Sequence, residues 1–294
     1  MRAVLVGEAM LELAQHGAGW QLAYGGDTLN TAIHLARAGI DTAYLTALGT
    51  DPFSLDLTAR WAAEGLDTAL VLADPARHPG LYAITCDESG ERSFTYWRGE
   101  SAARRLFVCP GIAAACDRAA RADLLGFSLI SLAILPEAGR EALFDLARRV
   151  RARGGMVAFD GNYRPRLWPD PAMARAARDA AIALATIGLP TREDEVMLGA
   201  PDDPEAIAAH WQELGCGETV VKLGADGCRL PDGSVCAPAA VLAPVDTSGA
   251  GDAFNAGYLA ARLRGATPAS AAREGHALAG WTIMRRGAIP ARED

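Results

Sequence analysis

The sequence lacks the features by which several classes of protein are recognised. Its 36 Asp and Glu residues outnumber its 28 Lys and Arg residues, which gives a net charge of −8. A nucleic-acid-binding surface would need a basic stripe, so this balance argues against one. No apolar run approaches the length of a membrane span.

Cysteine is absent from the patterns that bind metal. None of the six cysteines belongs to a C-x-x-C pair or lies in a close cluster with histidine, so we expect no zinc site. Scattered cysteines in a chain of this length fit a reducing compartment. We therefore expect a cytoplasmic protein.

The composition is that of a folded α/β protein with a large core. Of the 294 residues, 50% are hydrophobic and 22% are charged, which excludes wholesale disorder. The length suits one large domain or two smaller ones. We expect a single domain over residues 1–294.

Short β-rich runs alternate with helical patterns along most of the chain. The strands that we expect are Arg2–Gly7, Thr42–Leu48, Asp123–Phe127, Met156–Asp160, Ala185–Leu189 and Thr219–Leu223. This alternation predicts a doubly wound, mostly parallel sheet flanked by helices. Ligands bind such sheets at the carboxyl ends of the strands. Gly26, Asp160, Lys222 and Gly249 follow predicted strands, so we expect them to share one rim.

The middle of the chain interrupts the alternation. Gly80–Cys86 and Arg92–Arg98 are extended runs, and Asp87–Glu91 joins them with hairpin turn chemistry. An inserted hairpin suggests a small β lid, formed by segments of about 9–24 and 78–100. In the alternating segment after Glu8, Glu12 either faces a ligand or is exposed. Exposed hairpin edges also invite pairing between subunits, so we expect a homo-oligomer formed through this hairpin.

The stretch Asp246–Asp252 has the most specific chemistry. It places two glycines around one alanine at the start of a helical pattern, after the extended apolar run Ala239–Val245. Free N–H groups at a helix start bind anions. The neighbouring carboxylate of Asp252 would repel phosphate but could take a proton from a hydroxyl that attacks it. The alternative is an ordinary helix start, in which Asp252 favours the helix dipole.

Several motifs in order resemble those of the ribokinase-like (pfkB-type) carbohydrate kinases over essentially the whole chain. They are Gly25–Asn30, Tyr96–Arg98, Ile130–Leu135, Asp160–Trp168, Asp246–Asp252 and Arg286–Pro290. Within the family, the likeness is greatest to members that phosphorylate 2-keto-3-deoxygluconate. The resemblance implies a ribokinase-like fold and phosphoryl transfer from ATP to the terminal hydroxyl of that sugar acid.

The resemblance also implies roles for individual residues. Asp252 would be the catalytic base, and the N–H groups of Gly249, Ala250 and Gly251 would bind the transferred phosphoryl group. A sugar acid needs a guanidinium for its carboxylate, which Arg98 and Arg164 would supply, with Arg166 as the alternative to Arg164. The remaining substrate contacts would come from Gly26, Asn30, Tyr82 and Tyr96.

For ATP, the resemblance implies a set of residues in the second half of the chain. They are Asn162, Lys222, Gly224, Asp226, Gly227, Gly275 and Ala279, together with Gly249 and Gly251. Phosphoryl transfer implies Mg²⁺, and a monovalent cation is a further possibility. Many relatives carry Asn-x-x-Glu where this chain has Thr191–Glu195. Asp194 is the expected metal residue, with Glu193 and Glu195 left open.

Other functions are compatible with the same motifs and the same fold. A kinase for 2-keto-3-deoxygalactonate or for a ketose such as fructose would share these motifs, and a sugar-sensing relative would share the fold. The intact Asp252 and its glycine turn argue against a non-catalytic relative. A nicotinamide dehydrogenase is excluded because no G-x-G-x-x-G follows the first strand.

Overall fold

The computed structural model describes residues 1–16, 19–86 and 92–291. The strands are β1 (Arg2–Val6), β2 (Met10–His16), β3 (Gly19–Gly25), β4 (Asp41–Leu48), β5 (Val71–Ala73), β6 (Gly80–Cys86), β7 (Arg92–Trp97), β8 (Leu124–Ser128), β9 (Met156–Asp160), β10 (Ile187–Gly188), β11 (Glu218–Thr219), β12 (Val221–Lys222), β13 (Cys228–Arg229) and β14 (Val235–Cys236). The expected turn Asp87–Glu91 lies outside the described residues.

Helices fill most of the connections between these strands. The α-helices are α1 (Asp27–Arg37), α2 (Pro52–Ala63), α3 (Ile112–Ala119), α4 (Leu129–Ile134), α5 (Glu137–Ala152), α6 (Pro171–Ile182), α7 (Arg192–Met197), α8 (Pro204–Glu213), α9 (Ala250–Leu263) and α10 (Pro268–Ile283). Short 3-10 helices occupy Ala102–Val108, Pro165–Leu167 and Gly224–Asp226. Within the three described ranges, no helix is long and apolar enough to cross a membrane.

The main sheet has seven parallel strands in the order β11-β10-β9-β8-β1-β4-β5. Alternate residues of β1 enter different cores: Val4 and Val6 pack on one face, and Ala3 and Leu5 on the other. Parallel strands must bury both faces, which explains their nearly continuous apolar sequences. The predicted doubly wound, mostly parallel sheet is confirmed.

A second sheet, which we call the small sheet, has the order β3-β2-β6-β7. Its outer pairs are antiparallel, and β2 runs parallel to β6. Residue alternation places Glu12, Tyr82 and Tyr96 on one face, because Glu12 is opposite Tyr82 and Tyr82 is opposite Tyr96. The small sheet is built from the two segments expected to form the lid.

Two expected strands differ from the structure. The run Thr219–Leu223 is divided, since β11 pairs in the main sheet whereas β12 pairs antiparallel with β13 in a third sheet. Val220, between them, is fully buried. The apolar run Ala239–Val245 forms no strand, and Val241 is 99% exposed. These apolar residues belong to a loop that lines a cavity, not to a sheet.

Candidate active site

The glycine-rich turn before α9 is held by a later segment of the chain. Gly249 has a φ of 71°, and a Cβ there would lie 2.5 Å from the Cβ of Ala288. The buried carboxylate of Asp246 accepts the Ser248 N–H at 2.9 Å with one oxygen and the Gly287 N–H at 3.0 Å with the other. Glycine is therefore needed at 249 for both its conformation and its close contact.

The first turn of α9 presents its N–H groups at the open end of this glycine turn. Ala250 donates its N–H to the carbonyl of Thr247 at 3.2 Å. The turn itself therefore uses the Ala250 N–H, whereas the expectation that the N–H groups of Gly249, Ala250 and Gly251 bind an anion stays a prediction. Gly251 is exposed and lies one residue further along the helix end, where N–H groups lack intrahelical acceptors.

Asp252 lies on the same first turn and is oriented by Asn30. The Asn30 amide donates to a carboxylate oxygen of Asp252 at 2.8 Å. Burial, assisted by the negative charges of Asp27 and Asp160, raises the pKa of Asp252 to about 8. Asn30 and Lys222 oppose this rise. Asp252 therefore has a proton affinity suited to a general base near neutral pH.

Lys222 is the single lysine of the sequence, and it is buried on the cavity wall. Its ammonium donates to Asp160 at 3.0 Å and to the amide oxygen of Asn255 at 3.2 Å. The other oxygen of Asp160 accepts from the Asn255 Nδ2 at 2.8 Å. A Cβ at Gly251 would lie 3.8 Å from the Lys222 Nζ, so the ammonium is beneath the start of α9.

The three consecutive acids at the start of α7 have different environments. Asp194 lines the cavity, where it accepts the Tyr163 N–H at 3.3 Å and an Arg164 N–H at 3.5 Å. Burial raises its pKa to about 6, against the opposing charge of Arg164. Glu195 is fully buried and accepts from Arg178 at 2.7 Å instead. Of Asp194 and Glu195, Asp194 is thus the acid that lines the cavity, and Glu193 is exposed.

At the small sheet, aromatic rings cover one end of the cavity. The Tyr82 hydroxyl donates to Glu12, and both side chains line the cavity. The rings of Tyr82 and Tyr96 have centroids 5.8 Å apart, and Phe94 stacks on Tyr96 at 6.4 Å. Glu12 thus faces the cavity, which resolves the two interpretations of the alternating segment.

Arg98 is placed differently from the other expected ligands. Its guanidinium donates to the fully buried Glu8 carboxylate through Nε at 2.7 Å and also through Nη2. The Arg98 side chain is only 10% exposed, and it does not line the cavity. Arg164, by contrast, is 54% exposed and lines the cavity.

One cavity of about 1160 Å³ extends from the small sheet to α10. It brings together most of the expected site residues: Gly26, Asn30, Tyr82, Tyr96, Asn162, Arg164, Asp194, Lys222, Gly224, Gly227, Gly249, Ala250, Gly251, Asp252 and Ala279. The expected rim is confirmed, since Gly26, Asp160, Lys222 and Gly249 all line this cavity. We call the part enclosed by Gly224–Gly227, residues 237–242 and α10 the distal end.

Two residues that were expected to bind ATP do not line the wall of the distal end. Asp226 lies in the 3-10 turn but not on the cavity, whereas Gly224 and Gly227 line it. Gly275 is buried between α9 and α10, where a Cβ would lie 2.8 Å from the Phe254 ring. Its small size is required by helix packing rather than by a ligand.

The structure adds residues that the motifs did not single out. Asn255 follows Asp252 by three positions, so both lie on one face of α9. Asp27 is inside the first glycine motif and accepts from Asn162 at 3.1 Å. Both side chains meet residues that the motifs did name, since Asn255 contacts Lys222 and Asp27 contacts Asn162.

Comparison with known proteins gives consistent matches along the whole chain. Residues 3–294 match the model of the pfkB family carbohydrate kinases. The chain is 42% identical over 299 residues to the 2-dehydro-3-deoxygluconokinase of Escherichia coli K12, covering 98% of this chain and 97% of that protein. It is 36% identical to the Haemophilus influenzae 2-dehydro-3-deoxygluconokinase, with 97% and 94% coverage. A Klebsiella pneumoniae fructokinase is 33% identical, with 87% and 82% coverage.

Solved structures share the fold. A PfkB protein from Polaromonas sp. JS666 superposes with a TM-score of 0.84 at 29% identity, covering 99% of this chain and 97% of that chain. Aminoimidazole riboside kinase from Salmonella enterica, complexed with aminoimidazole riboside and an ATP analog, also gives a TM-score of 0.84. Its identity is 26%, with 98% and 95% coverage.

Proposed function

The chain belongs to the pfkB family of carbohydrate kinases, and we propose that it phosphorylates 2-keto-3-deoxygluconate with ATP. That sugar acid is also called 2-dehydro-3-deoxygluconate, and the product would be 2-keto-3-deoxy-6-phosphogluconate. The relatives at 36–42% identity that are 2-dehydro-3-deoxygluconokinases support this substrate. The observation that carries the chemistry is the position of Asp252 beside the Gly249–Gly251 turn on one cavity wall.

Asp252 acts as the general base in this proposal. The terminal hydroxyl of the sugar acid loses its proton to Asp252 as the new P–O bond forms. The raised pKa of about 8 favours the proton transfer, and Asn30 fixes the orientation of the carboxylate. A positioned general base supplies typically about 10²–10⁴-fold in rate.

The Gly251 end of the turn and Lys222 bind the phosphoryl oxygens. Both are fixed before the reaction, because Gly249 packs on Ala288 and Lys222 is held by Asp160 and Asn255. Fixed donors stabilise charge that develops in the transition state. In-line positioning of the two substrates adds about 7–11 kcal/mol of barrier reduction.

At the small-sheet end, Arg164 binds the carboxylate of the sugar acid. It lines the cavity and lies in the Asp160–Trp168 motif, and its partner Asp194 is 3.5 Å away. Tyr82 and Tyr96 provide apolar faces for the sugar carbons, and Gly26 permits close approach to the backbone. Arg98 is the second carboxylate ligand implied by the family likeness, although here it is bound by Glu8.

ATP occupies the distal end in this proposal. Gly224, Gly227 and Ala279 are small residues on its wall, so they leave room for a nucleotide, and Asn162 lines the same cavity. The ATP analog in the complex of aminoimidazole riboside kinase supports nucleotide use by this fold. Asp226 and Gly275 contribute to this end through backbone shape and helix packing.

The carboxylates of the site fit a magnesium ion held mainly by phosphates and water. Among the described residues there is no cluster of three or more His, Cys, Asp or Glu residues. Magnesium in kinases needs only one or two protein carboxylates. Asp194 would hold it, and Asp160 lies close enough to raise the pKa of Asp194. The ion supplies charge neutralisation between the phosphates.

A ketose such as fructose is the second candidate substrate, and the 33% identity to a fructokinase favours it. A neutral ketose offers no carboxylate for Arg164, which distinguishes the two. The epimeric acid 2-keto-3-deoxygalactonate would use the same arginine. A coupled assay of ADP release with these sugars, with Asp252→Asn as the blank, tests the proposal. Release with fructose but with no sugar acid would overturn it.

We further propose that two copies pair through the small sheet. Trp20 and Trp97 on its outer strands are 54% and 57% exposed, and within the described ranges each outer strand pairs on one side alone. Exposed aromatic residues on an open-edged sheet favour association. Sedimentation of a monomer at micromolar concentration would contradict this. A cytoplasmic location stays a prediction from the cysteine pattern.

A further inference from the structure

Two cysteines face each other across the β-ribbon behind the distal end. Cys228 of β13 is directly opposite Cys236 of β14 in an antiparallel pair. Opposite residues in such pairs have Cα atoms about 4.5–5.5 Å apart and project from the same face. A disulfide requires a Cα separation of about 4.4–6.8 Å. The backbone therefore already has the spacing that a disulfide needs.

The same two residues contact the wall of the cavity from behind. His276, which lines the cavity, donates its Nε2 hydrogen to the Cys236 carbonyl at 2.9 Å. The same nitrogen lies 3.6 Å from the Cys228 sulfur. A Cβ at Gly227 would lie 2.2 Å from the Cys236 carbonyl oxygen, so this backbone packs directly on the glycine turn. Ala237, the next residue, begins the wall segment.

We propose that Cys228 and Cys236 are a reversible oxidation site that takes hydrogen peroxide or a small organic peroxide. Cys236 is half-buried and Cys228 is fully buried, so Cys236 meets the oxidant first. Its sulfur attacks the peroxide, the O–O bond breaks, and Cys236 becomes a sulfenic acid while one water forms from hydrogen peroxide, or one alcohol from an organic peroxide.

The second step closes the disulfide. The Cys228 sulfur attacks the Cys236 sulfur, the S–O bond breaks, and a second water leaves with the Cys228 proton. Two thiols are thus oxidised and one hydrogen peroxide is reduced to two waters. Cys236 must rotate its sulfur away from the Ala237 carbonyl, which is 4.0 Å from it. Because the thiol of Cys228 is buried, this closing step is slower than attack on free thiols.

Oxidation should change the distal end of the cavity and leave the end at the small sheet unchanged. The disulfide fixes Cys236 against Cys228 and takes the Cys228 sulfur away from the Nε2 of His276, which lines the cavity. The small sheet lies at the other end of the cavity. The consequence for ATP depends on the proposed function, whereas disulfide formation does not.

The test compares peroxide-treated and dithiothreitol-treated whole chain. Peptide mapping by mass spectrometry should find a Cys228–Cys236 cross-link, lighter by two hydrogens, that dithiothreitol reverses. ATP affinity by calorimetry should weaken by at least about fivefold in the oxidised chain. Cys236→Ser should bind ATP like the reduced chain and be insensitive to peroxide. Cys116→Ser, which removes a half-buried thiol on α3, should respond like the natural chain.

Two results would overturn the proposal. One is sulfinic or sulfonic acid on Cys236 without the cross-link, with Cys228→Ala behaving identically. The other is a cross-linked chain with unchanged ATP affinity. If the reduced chain fails to bind ATP at all, the proposed kinase function is wrong, but the peptide map still decides the oxidation site.

Discussion

Glu8 and Arg98 form a buried ion pair at the junction between the small sheet and the main sheet. Glu8 lies between β1 and β2, and Arg98 follows β7. The two other connections also contact Glu8. A Cβ at Gly26 would lie 2.4 Å from its carbonyl oxygen, and one at Gly80 would lie 2.8 Å from its Oε1. Glu8 thus joins the chain segments that link the two sheets.

Removing Arg98 should therefore destabilise the protein. In Arg98→Met, the buried Glu8 carboxylate loses its charged partner, and breaking a buried pair costs about 3–5 kcal/mol. The double variant Glu8→Gln/Arg98→Met should recover most of this loss, because no unpaired charge remains. Urea denaturation measures both. Equal instability of the single and double variants would contradict the assignment.

Arg164→Met should instead affect substrate affinity. Arg164 is half exposed, and its contact with Asp194 is long, at 3.5 Å. Its loss should therefore leave the free energy of unfolding nearly unchanged. The KM for the sugar acid should rise far more than the KM for ATP, since a charged hydrogen bond to the carboxylate is lost. Steady-state kinetics with each substrate varied provides the measurement. A similar rise in both KM values would exclude the carboxylate role.

Asp252→Asn should lose turnover without losing binding. The amide cannot accept the hydroxyl proton, so kcat should fall by about 10²–10⁴-fold. Asn30 can still hydrogen-bond to the amide oxygen, which keeps the side chain in place. Calorimetric titration should show near-natural affinity for ATP and sugar acid. A loss of affinity as large as the loss of rate would contradict the base role.

Activity should rise with pH because the base must be deprotonated. With a pKa of about 8 for Asp252, kcat/KM should increase from pH 6 to about pH 9. Asn30→Ala removes a donor that favours the charged form, so the rising limb should move to higher pH. A rise in kcat/KM centred on the ordinary aspartate pKa would contradict a raised pKa for the buried Asp252.

The same shift affects stability. The folded pKa of Asp252 is above its ordinary value of 3.8, so the folded state keeps the proton that the unfolded chain loses. The contribution to stability is complete below that ordinary value and declines until about pH 8. Asp252→Asn should therefore gain Tm relative to the natural chain as the pH rises through this window. A Tm difference independent of pH would contradict the linkage.

Gly249→Ala should impair both stability and turnover. A residue other than glycine at a φ of 71° costs roughly 1–2 kcal/mol, and the new Cβ would also meet the Ala288 Cβ at 2.5 Å. Gly39→Ala is the matched control, since Gly39 has a φ of 80° and nothing lies within 4 Å of its Cβ position. Thermal unfolding and kcat should both fall further at 249. Equal effects at the two positions would show that the Ala288 contact is unimportant.

The sequence predicted the main sheet because its apolar strands alternate regularly with helical patterns. It could not show that Val220 separates two sheets, since β11 and β12 read as one continuous strand. It also could not show that Ala239–Val245 is a loop, because an apolar cavity wall and a buried strand have similar compositions.

The site was predictable to the extent that each residue sits inside a motif. Spacing placed Asp252 at the start of α9, but it did not reveal that Arg98 pairs with Glu8 across 90 residues. It likewise could not separate Asp194, on the cavity, from Glu195, which pairs with Arg178. Such differences depend on long-range packing, which one sequence does not encode as a local pattern.

The position of Lys222 has a practical consequence for covalent chemistry. Since the chain has no other lysine, an amine-acylating reagent can modify one side chain and an α-amino group. The side chain is buried beneath the helix start, so its rate of acylation reports on access to this part of the cavity. No other lysine competes for the reagent, so protection by a bound phosphate ester can be read from the one peptide that contains Lys222.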